Sequence, residues 1–466
     1  MTNIIPFLFT PCYYLYMEQE LIIEKLSSSG TGIAHYNGKV IFVENTCPED
    51  KIRAKIIKEN KSYSTAELIE IIEKSPYRVK PFCPMHKVCG ACQLQFIDYE
   101  YQLKCKKEIV KDSFKSVEDL SSLVEDVTPS PQIKEFRHKI QYPIRQTQVS
   151  KRILAGYFKP KSHDIVNIKY CPIQPAICDE IIEYIRENAP MFDIEGYDEK
   201  KHKGLLRHVV IRSSAKTGDN LVVFVINSNK IPERLKDFGI KLFDRFEKVS
   251  GITVNFNNKQ TNLIMTDKTQ LLYGKDFVEE DICNVTFKIG SNTFFQVNPK
   301  SAENIFKYVK EYIKTNCSSP TLLDAYAGIS AFGLVMSDVC KSVTSVEENK
   351  DSVQLAKEVA KENKIKNISL FCEDSEKFFD TEVQNNNQYD IIILDPPRKG
   401  CTEKTLEYAL KLTKSKIIYV SCNPSTLARD LKYLISKGAS VESIRPFDMF
   451  CHTSHIENVA IINLNK

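Results

Sequence analysis

The chain has 466 residues, 42% of them hydrophobic and 27% charged, which is ordinary globular material with length for two or three domains and a sizeable core. Net charge is only +4, but residues 76–170 carry 17 Lys/Arg against 10 Asp/Glu while residues 1–75 carry 8 against 10, so a basic middle suits either a polyanion-facing surface or a solvated lysine-rich face. The 15 cysteines are odd in number and mostly dispersed, which argues against a secreted disulfide framework and for a reducing cytoplasm where thiols serve as ligands or catalysts.

The first 16 residues, MTNIIPFLFTPCYYLY, are apolar and uncharged. No basic residue precedes them, two prolines interrupt them, and they are too short to span a bilayer. They read as a disordered leader, or as an over-extended start before Met17. No other segment is long and apolar enough for a membrane, so a cytoplasmic chain without membrane contact is expected. Residues 17–75 read as short alternating strands with a hairpin turn at His35-Tyr36-Asn37-Gly38, together a small β-barrel. Residues 76–92 are loop-like and cysteine-rich, and 93–118 read as a helix. From 127 to 290 strands dominate (KIQYPIR, ILAGYFKP, HVVIRSS, NLVVFVINS, GITVNFNN), suggesting an antiparallel platform with short helices in a central domain over 76–290. From 291 to 466, apolar runs such as TLLDAYA, SVTSVEE, NISLFCE, YDIIILDPP and KIIYVSCNP alternate with amphipathic helices, the pattern of a doubly wound α/β sheet. The whole is a multidomain α/β chain.

Such sheets bind ligands at the carboxyl ends of their strands. Asp324 ends one strand ahead of a turn through Gly328, Glu347 ends the next, and Asp374 ends the third. A carboxylate at Glu347 can accept from two ribose hydroxyls, and one at Asp374 can meet an adenine amine. The glycine fingerprint is incomplete (Gly328-Ile329-Ser330), and Asp324 could equally cap a helix.

The sharpest signal is YVSCNPSTLARDL. Cys422 follows a buried strand and Asn423-Pro424 opens a helix, where a thiol gains thiolate character. A structural cysteine at a strand end is the commoner case, but Asp395-Pro396-Pro397-Arg398 ends the neighbouring strand, and two prolines there stiffen a loop facing a planar ligand. The two fit one reaction. C5 of a uracil is too weak a nucleophile to attack a sulfonium methyl; a thiolate added at C6 makes C5 an enolate carbon that can. A base must then remove the C5 proton and expel the sulfur. Glu457 in HTSHIENVAII is a candidate base, as are His452 and His455; an exposed glutamate before a strand is the plain alternative.

FFQVN at 294–298, LDAYAG, SVE ending at Glu347, LDPPR, SCNP and HIEN, in this order, resemble the RNA 5-methyluridine (uracil-C5) methyltransferase family, densely over the C-terminal third. Residues 17–75 resemble the TRAM domain, and the last third then implies a Rossmann-like class I methyltransferase domain. The resemblance implies S-adenosyl-L-methionine as methyl donor, Cys422 as nucleophile, Glu457 as proton acceptor, and Gln296, Tyr326, Glu347, Asp374 and Asp395 lining the cofactor and uracil pocket. One departure is Ile329-Ser330-Ala331, where relatives often carry Gly and Asn, which leaves the helix start less defined.

Cys83, Cys89 and Cys92, with Cys171 much later, make a four-thiolate set suited to a [4Fe-4S] cluster or to zinc, and the spacing alone does not choose. The resemblance to the ribosomal-RNA branch of the family implies [4Fe-4S], in a structural role. Three unrelated buried cysteines are the bland alternative. The basic stretch between them offers Arg137, Lys139, Arg145, Lys151, Arg152 and Lys159, interleaved with Tyr142, Tyr157 and Phe158, for phosphate contacts and base stacking. The expected partner is RNA, 23S ribosomal RNA by the branch resembled, presented as a single strand or flipped base to a monomer needing no protein partner. Transfer RNA is the alternative substrate, a non-catalytic RNA-binding scaffold the alternative function. Cytosine-C5 chemistry is disfavoured by the Ser-Cys-Asn-Pro context.

Overall fold

The computed structural model describes residues 18–117 and 120–464, so the expected leader over 1–16 lies outside the described residues. The described residues divide into two compact units, one of residues 18–82, 92–109 and 452–455, the other of residues 83–91, 110–117, 120–451 and 456–464. Among the described residues no helix is long and apolar enough to cross a membrane.

In the first unit, period-two alternation builds a six-stranded sheet in the spatial order Glu18–Ile22, Lys51–Glu59, Tyr63–Glu73, Lys39–Val43, Gly32–Tyr36, Lys25–Leu26. Ile52 and Ala54 point inward from one strand and Ile41 and Val43 from another, meeting Leu21, Ala34 and Ala66 in one core. The expected hairpin forms. Asn37 and Gly38 both have positive φ, at 49° and 76°, which is the backbone twist a two-residue hairpin turn requires, and Tyr36 faces Lys39 across it. Where the chain leaves the sheet, buried Asp50 accepts from the Cys47 and Ser75 N–H groups at 2.6 and 3.0 Å and from Arg78 Nε and Nη2. The helix expected over 93–118 spans Tyr99–Phe114. It begins late because Leu94 to Ile97 close a turn and Asp98 then caps the helix, accepting from the Tyr101 N–H at 3.2 Å.

In the second unit, a six-stranded platform runs in the order Thr269–Gly274, Val249–Phe256, Asn220–Ile226, Leu206–Ser213, Lys139–Gln146, Ile153–Ala155. It is mixed, not purely antiparallel: Asn220–Ile226 and Val249–Phe256 pair in parallel because helix Glu233–Arg245 makes the crossover between them. Asn220–Ile226 is buried along its whole length. Val222 and Phe224 pack under helices Ala176–Asn188 and Glu233–Arg245, while Leu221, Val223 and Val225 face the core shared with the C-terminal sheet.

That C-terminal sheet has seven strands: β1 Thr321–Ala325, β2 Ser342–Glu347, β3 Ile368–Cys372, β4 Tyr389–Leu394, β5 Thr413–Ser421, β6 Ala439–Phe447 and β7 Glu457–Leu464. The spatial order is β3-β2-β1-β4-β5-β7-β6, parallel except for β7. Helices cross over between the parallel strands, so β1, β4 and β5 are nearly continuous apolar runs. The chain reverses its direction of winding between β1 and β4, and a crevice opens at their carboxyl ends.

Candidate active site

A cavity of about 860 Å³ occupies that crevice, and Gln296, Tyr326, Glu347, Asp374, Asp395, Cys422 and Glu457 all line it. The structure therefore brings together every residue expected for the cofactor, the nucleophile and the base.

On the β1–β2 side the turn after β1 carries positive φ at Tyr326, Gly328 and Ser330. A Cβ on Gly328 would meet nothing within 4 Å, so its backbone lies bare to the cavity. Glu347 Oε2 accepts from the Gly328 N–H at 2.8 Å and Oε1 from the Asn349 N–H at 2.9 Å, which aims the carboxylate across the turn. Asp374 is exposed and caps helix Ser375–Gln384, accepting from the Glu376 and Lys377 N–H groups at 3.1 Å. Asp324 is buried and accepts from the Gly333 N–H at 2.9 Å, so it braces the start of helix Ala331–Met336 from inside β1. That helix starts cleanly despite Ile329-Ser330-Ala331, because Asp324 does the work that the Ser330 side chain, bonded to Ser345 Oγ at 2.6 Å, does not.

On the β4–β5 side, Cys422 leaves β5 and Asn423 caps helix Pro424–Ser436, accepting from the Ser425 N–H at 3.1 Å, with Pro424 in the first turn. Antiparallel register sets Ser421 opposite Asn458, and the Asn458 amide donates to the Ser421 carbonyl at 3.2 Å. Cys422 and Glu457 thus flank one rung of the sheet at the same end. Helix Pro424–Ser436 also clamps the loop after β4. Asn423 Nδ2 and Thr426 Oγ1 donate to the Arg398 carbonyl at 3.3 and 3.2 Å. Buried Asp430 accepts from the Cys401 N–H at 2.9 Å and the Tyr419 hydroxyl at 2.6 Å.

The electrostatics depart from the sequence reading. Burial pushes the Cys422 thiol up to about 11, and the charges of Glu457 and Asp395 push it the same way. The helix N-terminus does not make it a resting thiolate; burial, with two carboxyls from the adjacent strands β4 and β7, outweighs that dipole. Burial likewise raises Glu457 well above the usual carboxylate range, with Asp395 adding to the rise. Burial and the Asp324 charge raise Asp395 to about 7. The opposing influence on both Cys422 and Glu457 is Arg398, which also hydrogen-bonds the thiol. Arg398 has no assigned role in the motif reading, yet the sequence carries its signal: a cation fixed directly after Pro-Pro, beside a strand-end cysteine. Phe294, 67% exposed on the cavity wall, is a further site residue that no motif role marks.

Other expected residues have different duties. His452 and His455 belong to the first unit, where the buried His452 ring packs against Phe82 and Tyr99 and lies 3.3 Å from the Gln102 amide. Tyr142 is fully buried, its hydroxyl donating to Gln174 at 3.1 Å, so it offers no face to a base. Arg145 and Lys159 pair loosely with Glu199 and Asp164, at 3.8 and 3.9 Å. Among the described residues no three His, Cys, Asp or Glu side chains are grouped to hold a metal ion, so the cluster expected on Cys83, Cys89, Cys92 and Cys171 is not shown. Burial raises the Cys83 and Cys89 thiols above their ordinary range, and the Cys83 charge adds to the rise at Cys89; the Met85 and His86 N–H groups at Cys83 and the Ala91 N–H at Cys89 offset only part of it. Cys171 is buried and its N–H donates to Asp179 at 3.0 Å.

The family described as tRNA (Uracil-5-)-methyltransferase matches residues 216–464, and the TRAM domain matches 14–69. The chain belongs to the tRNA (uracil-5-)-methyltransferase family. An uncharacterized RNA methyltransferase of Halalkalibacterium halodurans is 34% identical across 96% of this chain and 97% of its own length. One from Clostridium tetani is 35% identical across 95% of each. Among solved structures, that of the Pyrococcus abyssi tRNA (uracil-54, C5)-methyltransferase in complex with S-adenosyl-L-homocysteine is similar with a TM-score of 0.77 and 27% identity, covering 95% of this chain and 100% of that one. The expected fold is borne out, an N-terminal TRAM domain with a C-terminal methyltransferase domain in a mixed α/β chain, and so is the expected enzyme class, an RNA (uracil-5-)-methyltransferase.

Proposed function

We propose that this methyltransferase transfers a methyl group from S-adenosyl-L-methionine to C5 of a uridine in 23S ribosomal RNA, through a covalent bond between Cys422 and C6 of the base. The observation that carries the reading is the placing of Cys422, Glu457, Asp395 and Arg398 on one cavity wall, facing the Gly328 turn and Glu347. The cavity suits the donor. Glu347 can accept from ribose hydroxyls, exposed Asp374 can meet the adenine amine, Phe306 and Phe332 supply an apolar wall, and the bare Gly328 backbone admits a close approach. When bound, the donor supplies an electrophilic methyl group on a positively charged sulfur.

This chain's residues do the rest. The Cys422 thiol, neutral at rest, releases its proton to solvent and adds as thiolate to C6, with Arg398 stabilising the anion beside it. The ring's new electron density lies on C5 and O4, and C5 takes the methyl. Glu457, as carboxylate, then removes the C5 proton; the C5–C6 double bond re-forms and sulfur leaves as thiolate. The buried, rigid setting of Glu457 at the start of β7 suits a base that must be aimed and shielded from water. The test is trapping: RNA carrying 5-fluorouridine, which has no C5 proton to lose, should form a stable adduct with wild-type protein and none with Cys422→Ala. An adduct persisting in the Ala variant would falsify the nucleophile.

For the substrate, the TRAM match and the cysteine spacing support ribosomal RNA. Transfer RNA is the second reading, favoured by the similar Pyrococcus abyssi enzyme, a tRNA (uracil-54, C5)-methyltransferase. Mapping 5-methyluridine in both RNAs from a deletion strain decides between them. As a separate proposal, Cys83, Cys89, Cys92 and Cys171 hold a [4Fe-4S] cluster; their spacing in the sequence supports it, and no methylation step passes through it. Iron and sulfide at about four per chain after anaerobic purification would support the cluster. Zinc alone, or no metal, would retire it.

A further inference from the structure

Strand Lys139–Gln146 pairs antiparallel with Leu206–Ser213 in a register that sets Lys139 directly opposite Arg212. Like charges across a strand pair repel. Arg137 adds a third positive charge, and burial together with Arg212 and Arg137 pushes the Lys139 ammonium down to about 7. Among the described residues no acidic group offsets the charge at Lys139 or Arg212. Arg212 is buried and spends its guanidinium on the carbonyls of Ser291 and Thr293. Arg137 lies over the Tyr157 ring at 5.7 Å, and its Nε is buried without a hydrogen-bond partner. Three cations gathered with no acid between them cost the free protein stability, and the arrangement is complete only with an anion from outside.

Their position indicates which anion. Arg212 holds Ser291 and Thr293, and the His138 N–H donates to the Val297 carbonyl at 2.7 Å. Between those anchors Asn292, Phe294, Phe295 and Gln296 line the catalytic cavity. The cations therefore stand directly behind the rim over which a target base would enter. We propose that Arg137 and Lys139, mostly buried but reaching the surface and backed by Arg212, seat a phosphodiester of the RNA strand next to the nucleotide whose base enters the cavity. This rests on the function proposed above and names a contact for its substrate.

The seat predicts a proton. A phosphate favours the charged form of Lys139, so binding takes up a proton above pH 7 and affinity falls as pH rises from there. The groups bearing on Lys139 are Arg137 on its own segment and Arg212 on the neighbouring strand, both permanently charged; adjacent His138 is held neutral by burial, with the Lys300 charge near it.

The experiment uses the full chain and a short fluorescein-labelled single-stranded RNA containing one uridine, without methyl donor, across about 50–200 mM salt. Lys139→Met, and separately Arg137→Gln, should raise the dissociation constant about 5- to 20-fold and lower the salt slope by about 0.7–1, the loss of one phosphate contact. Calorimetry at pH 8 in two buffers should show proton uptake by wild type and none by Lys139→Met. Because it relieves repulsion, Lys139→Met should melt no lower than wild type, which separates a lost contact from a lost fold. An unchanged salt slope in both variants overturns the seat, whether or not affinity falls. So does competition by inorganic phosphate that is equally effective against wild type and Lys139→Met. Normal salt and proton signatures without 5-methyluridine formation would remove the function reading and leave the seat. Methylation with an unchanged slope would remove the seat alone.

Discussion

Asp395→Asn should make the free enzyme more stable and less active, and the gain should depend on pH. Burial and the charge of Asp324 raise the Asp395 carboxyl from 3.8 to about 7. A carboxyl raised on folding favours the folded state in its protonated form. That contribution is complete below the unfolded value near 4, shrinks as pH rises, and is gone above about 7, where the folded protein bears the full cost of a buried, ionised group. A rise of this size corresponds to about 4 kcal/mol, and part of the side chain still faces the cavity, so about 2–4 kcal/mol is recoverable by a neutral isostere. In differential scanning calorimetry of ligand-free protein, the variant should melt about 4–10 °C above wild type at pH 8. At pH 4.5, where the wild-type carboxyl is mostly protonated, the gain should fall to roughly a quarter of that. Equal shifts at both pH values, or a variant that melts lower at pH 8, would refute the reasoning that this carboxyl is held in place against its own ionisation.

Arg398→Met should move the alkylation of Cys422 by iodoacetamide to higher pH, because the cation that opposes burial at the thiol is gone; an unmoved pH profile would show that Arg398 does not set its acidity. Glu457→Gln should accumulate methylated RNA still bonded to protein, visible on a denaturing gel with labelled methyl donor, while normal release of product would assign the base elsewhere. Tyr419→Phe removes the hydroxyl donated to buried Asp430 at 2.6 Å and should cost about 1.5–3 kcal/mol of stability, read by denaturant titration. No loss would mean that Asp430 finds another donor behind the Arg398 loop.

The C-terminal sheet was legible because its signals are local. Each apolar run is one parallel strand, each acidic or cysteine residue sits at a strand end, and the hairpin at Asn37-Gly38 announces itself in two residues. Long-range contacts were hidden. Cys422 looked acidic beside a helix start, yet Glu457, 35 positions on, lies against it once β7 inserts between β5 and β6. The platform looked antiparallel because no local pattern marks Glu233–Arg245 as a crossover helix. Tyr142 carries a hydroxyl that finds its acceptor inside the core, so its exposure was not readable from the basic residues around it. Asp324 and Asp374 stand at the expected strand ends, but the N–H groups they hold belong to helices packed beside them.

The arrangement around Cys422 bears on the order of events. Burial and the charges of Glu457 and Asp395 raise the ionisation cost of Cys422, burial and Asp395 raise that of Glu457, and one cation, Arg398, opposes the rise at both. Such a set holds few negative charges while it is empty, so the resting thiol is protonated and inert toward adventitious electrophiles. Binding a positively charged sulfonium in the same cavity changes that balance in favour of the anions. If the proposed reaction is right, the nucleophile is therefore armed by the arrival of the methyl donor, and alkylation of Cys422 should be accelerated by sinefungin, a cationic analogue with no methyl to give, and not by uncharged S-adenosylhomocysteine derivatives that lack the amino acid. Equal rates with both would separate the thiol's ionisation from the donor's charge and leave Arg398 alone to account for it.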